Sequence, residues 1–252
     1  MKNAHAILEK LCVDPRFKDY WFKWSETEKP FTTISEASVF FINVMLDQGG
    51  RWEVAKSNAK YFVENYFPEE SIWKDIKKKD LDSLEKICKK GNHNGKGFAS
   101  RFMHEHFHNY LQKNAELIVN RYKADPRNIW SVTAEKVELI YSNLLEFHGI
   151  GDALAKMGQF TLVRKYGIAG GKESKQHLRA KPDIHVSRVL YRMGLSENAK
   201  PASAVRCIDA AEVSSQADLD AVLVSMGRKF CKKTDPKCAD CPLKRDCDKR
   251  LP

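Results

Sequence analysis

The sequence has no long apolar run and no apolar N-terminal segment. Its longest apolar stretch, from Val39 to Leu46, is far shorter than the roughly 20 residues that a membrane-spanning helix needs. The opening MKNAHAILEK is interrupted by charged residues, which is not typical of a secretory signal. We therefore expect a protein of the cytoplasm or the nucleus, with no membrane partner.

Sustained alternation of apolar and polar residues, which predicts strands, is also absent. Apolar residues recur instead every three and four positions, from Ser35 to Phe67 and again from Phe98 to Tyr122. Helix-breaking residues are confined to a few places, and they divide the chain into helices of ordinary length at Pro30, Pro68, 91–97, Pro126 and 167–171. The sequence therefore predicts an all-α protein.

Negative charge is in the minority, because the chain has 43 Lys and Arg against 33 Asp and Glu, a formal net charge of +10. A cationic excess attracts polyanions over long distances. Nucleic acid is therefore the leading candidate partner. A basic protein without such a partner remains the alternative, and only specific motifs can decide between the two.

Cysteine is scarce until the C-terminal stretch CKKTDPKCADCPLKRDC, which contains four of the seven cysteines. In a reducing compartment clustered cysteines bind metal more often than they form disulfides, whereas the three scattered ones are typical of packed thiols. The four have the spacing C-x6-C-x2-C-x5-C and are Cys231, Cys238, Cys241 and Cys247. Four thiolates can complete a tetrahedral zinc site or bind a [4Fe-4S] cluster, and ligand number alone does not separate the two.

This spacing resembles the C-terminal loop of the endonuclease III family of DNA glycosylases. The resemblance implies that the four cysteines hold a [4Fe-4S] cluster with a structural role, since no coordination position is left open for chemistry. It also implies that basic residues of the loop, among them Lys232, Lys233 and Lys237, contact DNA phosphates. A zinc knuckle and four unliganded cysteines remain the alternatives.

A second motif is the stretch LLEFHGIGDALAKMG, in which Gly149 and Gly151 lie between two helical patterns. It resembles the helix-hairpin-helix of the same family, at about 140–158. Two glycines permit positive backbone dihedrals and a close approach, so that N–H groups at a helix start can face a phosphate. A helix connection without a ligand is the alternative for a single G-x-G.

The third motif is KPDIHVSRVLYRMGL, which resembles the catalytic segment of the family and places Asp183 before a helix. An Asp in that position is commonly an N-cap. The resemblance implies that the Asp183 carboxylate also lies where two lobes meet and either stabilises positive charge on deoxyribose or orients the attacking water. Both roles are compatible. The buried stripe of this helix is expected at Val186, Val189, Leu190 and Met193.

A weaker resemblance covers FFINVMLDQGGRW, which is similar to an early helix and turn of the family. It implies that Gln48 fills the gap left by an extruded base, with Arg51 close to the DNA. Extrusion costs a few kcal/mol, which a residue inserted into the stack partly offsets. A solvated amide in a loop is the alternative for Gln48.

Several positions depart from the family pattern. Members that also cleave the strand have a Schiff-base Lys where this chain has Ala153, and Lys156 lies about one helical turn further on. Members that remove adenine opposite oxidised guanine have a Glu where this chain has Asn43. His148 replaces the usual hairpin Pro and is also a candidate DNA contact. The departures favour a monofunctional glycosylase.

The resemblance implies a two-lobed protein. A six-helix bundle lobe would comprise residues 31–172, and a cluster lobe would comprise 1–30 with 173–252, its metal loop being 231–247. We expect a monomer, cytoplasmic and nucleoid-associated or nuclear, acting on double-stranded DNA with a damaged or mismatched base. The alternatives are a glycosylase with lyase activity from another amine and a non-catalytic damage-binding module. His104, His106 and His108 are interpreted as a polar strip rather than a metal site.

Overall fold

The computed structural model describes residues 3–21, 30–47, 52–90, 106–180 and 182–249. In these residues the chain has helices and no strand, as the sequence predicts. No described helix is both long and apolar enough to cross a membrane. By its internal contacts the chain divides into two compact units, Ser25–Gly171 and Met1–Trp24 with Lys172–Pro252.

The continuous unit contains seven α-helices in its described part: α2 (Ile34–Leu46), α3 (Trp52–Tyr66), α4 (Ile72–Lys78), α5 (Leu81–Lys90), α6 (Phe107–Arg121), α7 (Glu138–Leu145) and α8 (Asp152–Tyr166). Short 3-10 helices, Pro126–Ile129 and Ala134–Lys136, connect α6 to α7.

Helix α2 is the centre of this unit. Its N-terminus is fixed by a capping box, in which Thr33 Oγ1 accepts the Glu36 N–H and the Glu36 carboxylate accepts the Thr33 N–H. Nearly every residue from Ala37 to Leu46 is buried, which is the pattern of a core helix. It packs against α3 and α8. The helices α7 and α8 pack against each other and enclose the hairpin turn.

The discontinuous unit is built from α1 (Ala4–Val13), α9 (Ile184–Met193), α10 (Pro201–Ala211) and α11 (Gln216–Lys229) around one apolar core. The predicted stripe of α9 is confirmed, because Val186, Val189, Leu190 and Met193 are all buried. Helices α9 and α11 cross closely at Gly227, where a Cβ would lie 2.7 Å from the Cβ of His185. The cysteine loop, residues 231–247, follows α11.

Candidate nucleic-acid and catalytic site

The hairpin turn between α7 and α8 is anchored by two buried side chains, Phe147 and Ile150. Gly149 has φ +81°, a conformation that favours glycine, and the Ile150 N–H donates to the Phe147 carbonyl at 3.1 Å. Gly151 differs from the expectation, because it has φ −89° and ψ 178°. As the N-cap of α8 it has extended backbone, which any residue can adopt.

Gly151 nevertheless leaves space at the start of α8. A Cβ at this position would meet no atom within 4 Å, and no side chain caps the helix. The first amides of a helix have no intrahelical acceptor, and the helix dipole adds positive potential there. The turn can therefore accept an anion close to its backbone, which is the role that the sequence predicts for Gly149 and Gly151.

Asp152 adds a negative charge at the same helix end, a feature that the sequence analysis missed. Its Oδ1 accepts a hydrogen bond from Tyr141 Oη at 2.7 Å and lies 3.3 Å from Lys156 Nζ. The hydrogen bond to Asp152, followed by burial, raises the pKa of Tyr141 to about 12. The phenol therefore remains a donor. The Lys156 ammonium also lies 5.6 Å from the centroid of the Tyr141 ring. Lys156 is therefore held by two partners on the hairpin.

The N-cap role predicted for Asp183 is confirmed. Its Oδ1 accepts the N–H groups of His185 at 2.7 Å and of Val186 at 2.9 Å, while no described residue donates to Oδ2. The carboxylate is half-buried, and the next residue, Ile184, is 67% exposed. One oxygen thus fixes the side chain, and the other is free to act on a ligand.

The four clustered cysteines line one cavity of about 240 Å³, together with Arg192, Phe230, Pro236, Lys244 and Lys249. All four are free thiols. Among the described residues, no three His, Cys, Asp or Glu side chains converge as one bound metal ion would require. The predicted metal site is therefore not confirmed by the positions of its ligands.

The surroundings of the four thiols are partly positive. Burial raises the pKa of Cys241, and the other three thiols raise it further, so four thiolates need a positive group among them. Arg192, only 3% exposed, places Nη1 3.5 Å from Cys231 Sγ, and the Lys249 N–H donates to Cys247 Sγ at 3.3 Å. The cavity is also much larger than the roughly 30 Å³ that one water occupies. These features are compatible with a positively charged group among the four thiolates, and they do not separate zinc from a cluster.

Two arginines of α9 hold the cysteine loop through its backbone. Arg192 donates from Nη1 to the Lys232 carbonyl at 2.6 Å and from Nη2 to the Lys233 carbonyl at 3.1 Å. Arg188 donates to the carbonyls of Cys231 at 2.6 Å and Gly227 at 3.0 Å. The sequence analysis did not single out either arginine. Both were visible only as polar residues on the helix that Asp183 caps.

The basic side chains of the loop point away from the core. Lys232, Lys233 and Lys237 are exposed, and none forms an ion pair with a described residue.

Gln48, Arg51 and His104 lie outside the described residues. His148 is exposed, and its ring is stacked on Tyr110 with centroids 6.1 Å apart. His106 and His108 lie at the start of α6 with no metal-binding partners in the described chain.

A cavity of about 810 Å³ runs along α2 within the continuous unit. Its walls include the aromatic rings of Phe31, Phe40 and Tyr166, and the Phe31 and Tyr166 centroids are 4.3 Å apart. Asn43 also lines it and is 1% exposed, and its Oδ1 has no hydrogen-bond partner. A buried amide oxygen without a donor is costly unless a ligand supplies one.

Solved structures resemble the chain over almost its whole length. A trapped covalent endonuclease III–DNA intermediate, an estranged-adenine complex, has a TM-score of 0.57 at 17% identity, covering 97% of this chain and 93% of that one. A non-covalent endonuclease III–DNA complex has a TM-score of 0.58 at the same identity and coverage. A thermostable thymine-DNA glycosylase has a TM-score of 0.53 at 16% identity, again covering 97% and 93%.

The chain has the helix-hairpin-helix glycosylase fold. This confirms the fold class that the sequence predicts. No family model matches the sequence, and no curated protein is significantly similar to it. At this identity the likeness establishes the fold, and function has to be argued from the site.

Proposed function

We propose that this protein is a DNA glycosylase that extrudes a damaged or mismatched base from duplex DNA and hydrolyses its N-glycosidic bond. The observation on which the proposal depends is Asp183, with one oxygen fixed by the helix start and the other uncommitted. The fold supports it, because the similar solved structures are endonuclease III complexes with DNA and a thymine-DNA glycosylase.

The chemistry assigned to Asp183 is electrostatic. As the bond to the base breaks, positive charge develops on the deoxyribose, and a fixed carboxylate stabilises it or orients the attacking water. The cap hydrogen bonds at Oδ1 hold the side chain in one rotamer, so Oδ2 needs no reorganisation during the reaction. A carboxylate that was free to rotate would lose part of this advantage.

The cavity beside Asn43 is the proposed pocket for the extruded base. Its aromatic walls are suited to a planar ring, and the unpartnered Asn43 Oδ1 accepts an N–H from the base. An amide at this position differs from the Glu of enzymes that protonate adenine, so we propose recognition without acid catalysis here. Gln48 is proposed to fill the gap in the duplex, with Arg51 beside it.

Strand cleavage is not part of the proposed reaction. Ala153 has no amine, and the nearest alternative, Lys156, is engaged by Asp152 and by the Tyr141 ring. A Schiff-base nucleophile has to be a free, neutral amine, which such an ion pair disfavours. The product is therefore an intact strand with an abasic site.

DNA phosphates are proposed to bind at two places. One is the backbone of the hairpin at Gly149 and Gly151, beside His148, and the other is the row Lys232, Lys233 and Lys237 of the cysteine loop. We propose that Cys231, Cys238, Cys241 and Cys247 hold a [4Fe-4S] cluster. When bound, the cluster would cross-link the loop and take no part in the hydrolysis.

The decisive experiment compares the wild type with Asp183→Asn on duplexes that each contain one damaged or mismatched base, with and without alkali. Asn keeps the capping oxygen but removes the charge. Base release should fall about a hundredfold or more, while folding and DNA affinity are retained. Asp14→Asn, at another capping Asp, is the control and should leave base release unchanged.

Two outcomes would favour other functions. Full base release by Asp183→Asn would remove Asp183 from the chemistry, and tight binding of every damaged duplex without any release would favour a damage-binding module. Borohydride should trap little or no protein on the DNA. Efficient trapping that disappears in Lys156→Met would show lyase activity from that amine.

A further inference from the structure

The side chain of Asn114 forms hydrogen bonds with both the N–H and the carbonyl of His148, in the hairpin turn. Asn114 lies on α6, 34 residues earlier in the chain, and is 0% exposed. Its Oδ1 accepts the His148 N–H at 2.9 Å, and its Nδ2 donates to the His148 carbonyl at 3.0 Å. A single amide therefore satisfies both polar groups of this residue.

His148 has a backbone N–H, which a proline at this position would lack. Such a donor needs an acceptor. The turn is flanked by Phe147 and Ile150, both of them buried, so the backbone between them cannot be solvated freely. Asn114 supplies the acceptor that this N–H requires.

Other contacts of α6 reach the turn at its surface. The Tyr110 ring is stacked on the ring of His148, and Tyr122 Oη donates to Glu146 Oε2 at 3.2 Å. Arg121 forms an ion pair with the same carboxylate. These contacts join side chains to side chains, and of them only Tyr122 is buried, whereas the buried Asn114 acts on the backbone of the turn.

We propose that Asn114 is a positioning residue for DNA binding. It fixes the turn from Phe147 to Gly151, so that the backbone at Gly149 and the first amides of α8 keep one orientation toward a phosphate. Asn114 itself does not touch DNA. The proposal rests on the proposed DNA-binding function, because the orientation matters only if the hairpin contacts a phosphate.

The first test replaces Asn114 by Leu, which has a similar volume and neither donor nor acceptor. Duplex affinity is measured at fixed salt, below the melting temperature of every variant, together with amide hydrogen exchange at His148 and Gly149. We expect affinity to fall about tenfold, because two backbone groups lose their partner, and exchange at His148 to become faster.

A matched control separates positioning from general loss of stability. Ser38→Ala, on α2 of the same unit, also removes a buried hydrogen bond, the one that Trp73 Nε1 donates to Ser38 Oγ at 2.8 Å. It should leave both DNA affinity and His148 exchange unchanged. An Asn114→Leu protein with wild-type affinity and exchange would overturn the proposal.

A second test changes His148, the partner of Asn114 in this contact. It does not require the Asn114→Leu variant to fold. His148→Ala keeps the N–H, whereas His148→Pro removes it, so the difference between the two isolates this donor. We expect the Pro variant to bind DNA about tenfold more weakly than the Ala variant, and this difference to shrink in Asn114→Ala. Equal affinities of the two would overturn the proposal.

The exchange measurement distinguishes failure of this inference from failure of the proposed function. Wild-type protein that does not bind duplex DNA would refute the DNA-binding function, while protected His148 exchange would still show that the contact orders the turn. DNA binding that is intact in wild type and unaffected by the Asn114 and His148 variants would refute the positioning role alone.

Discussion

Two short irregular segments of the chain are stabilised by different interactions. They are the hairpin turn, from Glu146 to Gly151, and the cysteine loop, residues 231–247. The turn is held by buried apolar side chains and by the neutral amide of Asn114. From 231 to 247 the loop buries only Leu243, and its carbonyls are held by the guanidinium groups of Arg188 and Arg192. The turn therefore depends on packing, whereas the loop depends on charged groups and on the cluster that we propose for its cysteines.

The difference also determines how far a disturbance reaches. Arg188 and Arg192 belong to α9, which Asp183 caps, so a change in the loop is transmitted to the helix of the proposed catalytic residue. Asp183 does not belong to the unit that contains the turn. We therefore expect hairpin variants to change DNA affinity alone, and loop variants to change affinity and base release together.

The largest expected effect is loss of the proposed cluster. Structural zinc sites contribute about 10–16 kcal/mol to the folding of small metal-binding domains, and a cluster that orders this loop should contribute comparably. Purified protein should be brown with about four irons per chain. Cys231→Ser should lose the iron and expose the loop to trypsin at Lys232 and Lys233, while the hairpin keeps its protection from hydrogen exchange.

The control for this experiment is Cys207→Ser on α10, a half-buried cysteine outside the loop. It should keep the iron and the resistance to trypsin. Colourless wild-type protein with one zinc per chain would contradict the cluster. A Cys231→Ser protein whose loop resists trypsin would show that the arginines alone order the loop.

The substitution Arg192→Met should have the next largest effect on stability. The loop carbonyls of Lys232 and Lys233 lose a charged donor, which costs roughly 3 kcal/mol in the free energy of unfolding. Base release should fall more than DNA affinity does, since α9 loses one of its two arginine connections to the loop, the other being Arg188. The exposed Arg206, paired with Glu197 in the same unit, is the control, and Arg206→Met should cost less than about 1 kcal/mol. Equal costs in thermal unfolding would contradict the role of Arg192.

Features that depend on neighbours in sequence were predictable, and features that depend on distant pairs were not. The apolar period of α9 and the Asp before it predict both the buried stripe and the cap, because each is a relation within about one helical turn. The Asn114 contact joins positions 34 residues apart, and nothing in the local pattern of α6 indicates it.

Two local features became clear only from the folded backbone. Gly149 and Gly151 are equivalent in the sequence, yet only Gly149 requires a positive φ, because Gly151 is already the extended N-cap of α8. Similarly, Asp152 and Lys156 have the i, i+4 spacing of an ion pair, but the participation of Tyr141 from α7 depends on how the two helices pack. The spacing in the sequence predicts the ion pair between Asp152 and Lys156 but not the contact of both with Tyr141.

A smaller effect is expected on the salt dependence of DNA affinity, in which the loop lysines should differ from the rest of the basic surface. Replacing Lys232, Lys233 and Lys237 by Ala should flatten the dependence of log affinity on log salt by about 0.9 for each lysine that contacts a phosphate. The control replaces three exposed lysines of α4 and α5, Lys74, Lys78 and Lys86, and removes the same total charge. Equal changes in the two triple variants would show a general effect of net charge instead of a loop contact.

The smallest expected effect is an alkaline weakness near the hairpin that comes from a tyrosine, a residue type that the cysteine loop lacks. Burial, followed by the Glu146 carboxylate, raises the pKa of Tyr122 to about 12. An unfolded chain releases this proton near pH 10, so between pH 10 and 12 the folded state binds more protons than the unfolded state. The contribution of Tyr122 to stability is therefore complete below pH 10 and is lost as the pH rises toward 12. Tyr122→Phe should cost about 1 kcal/mol at neutral pH and flatten the alkaline decline in denaturant midpoints. Glu146→Gln should flatten the decline as well, and a wild-type slope in Tyr122→Phe would place the alkaline weakness elsewhere.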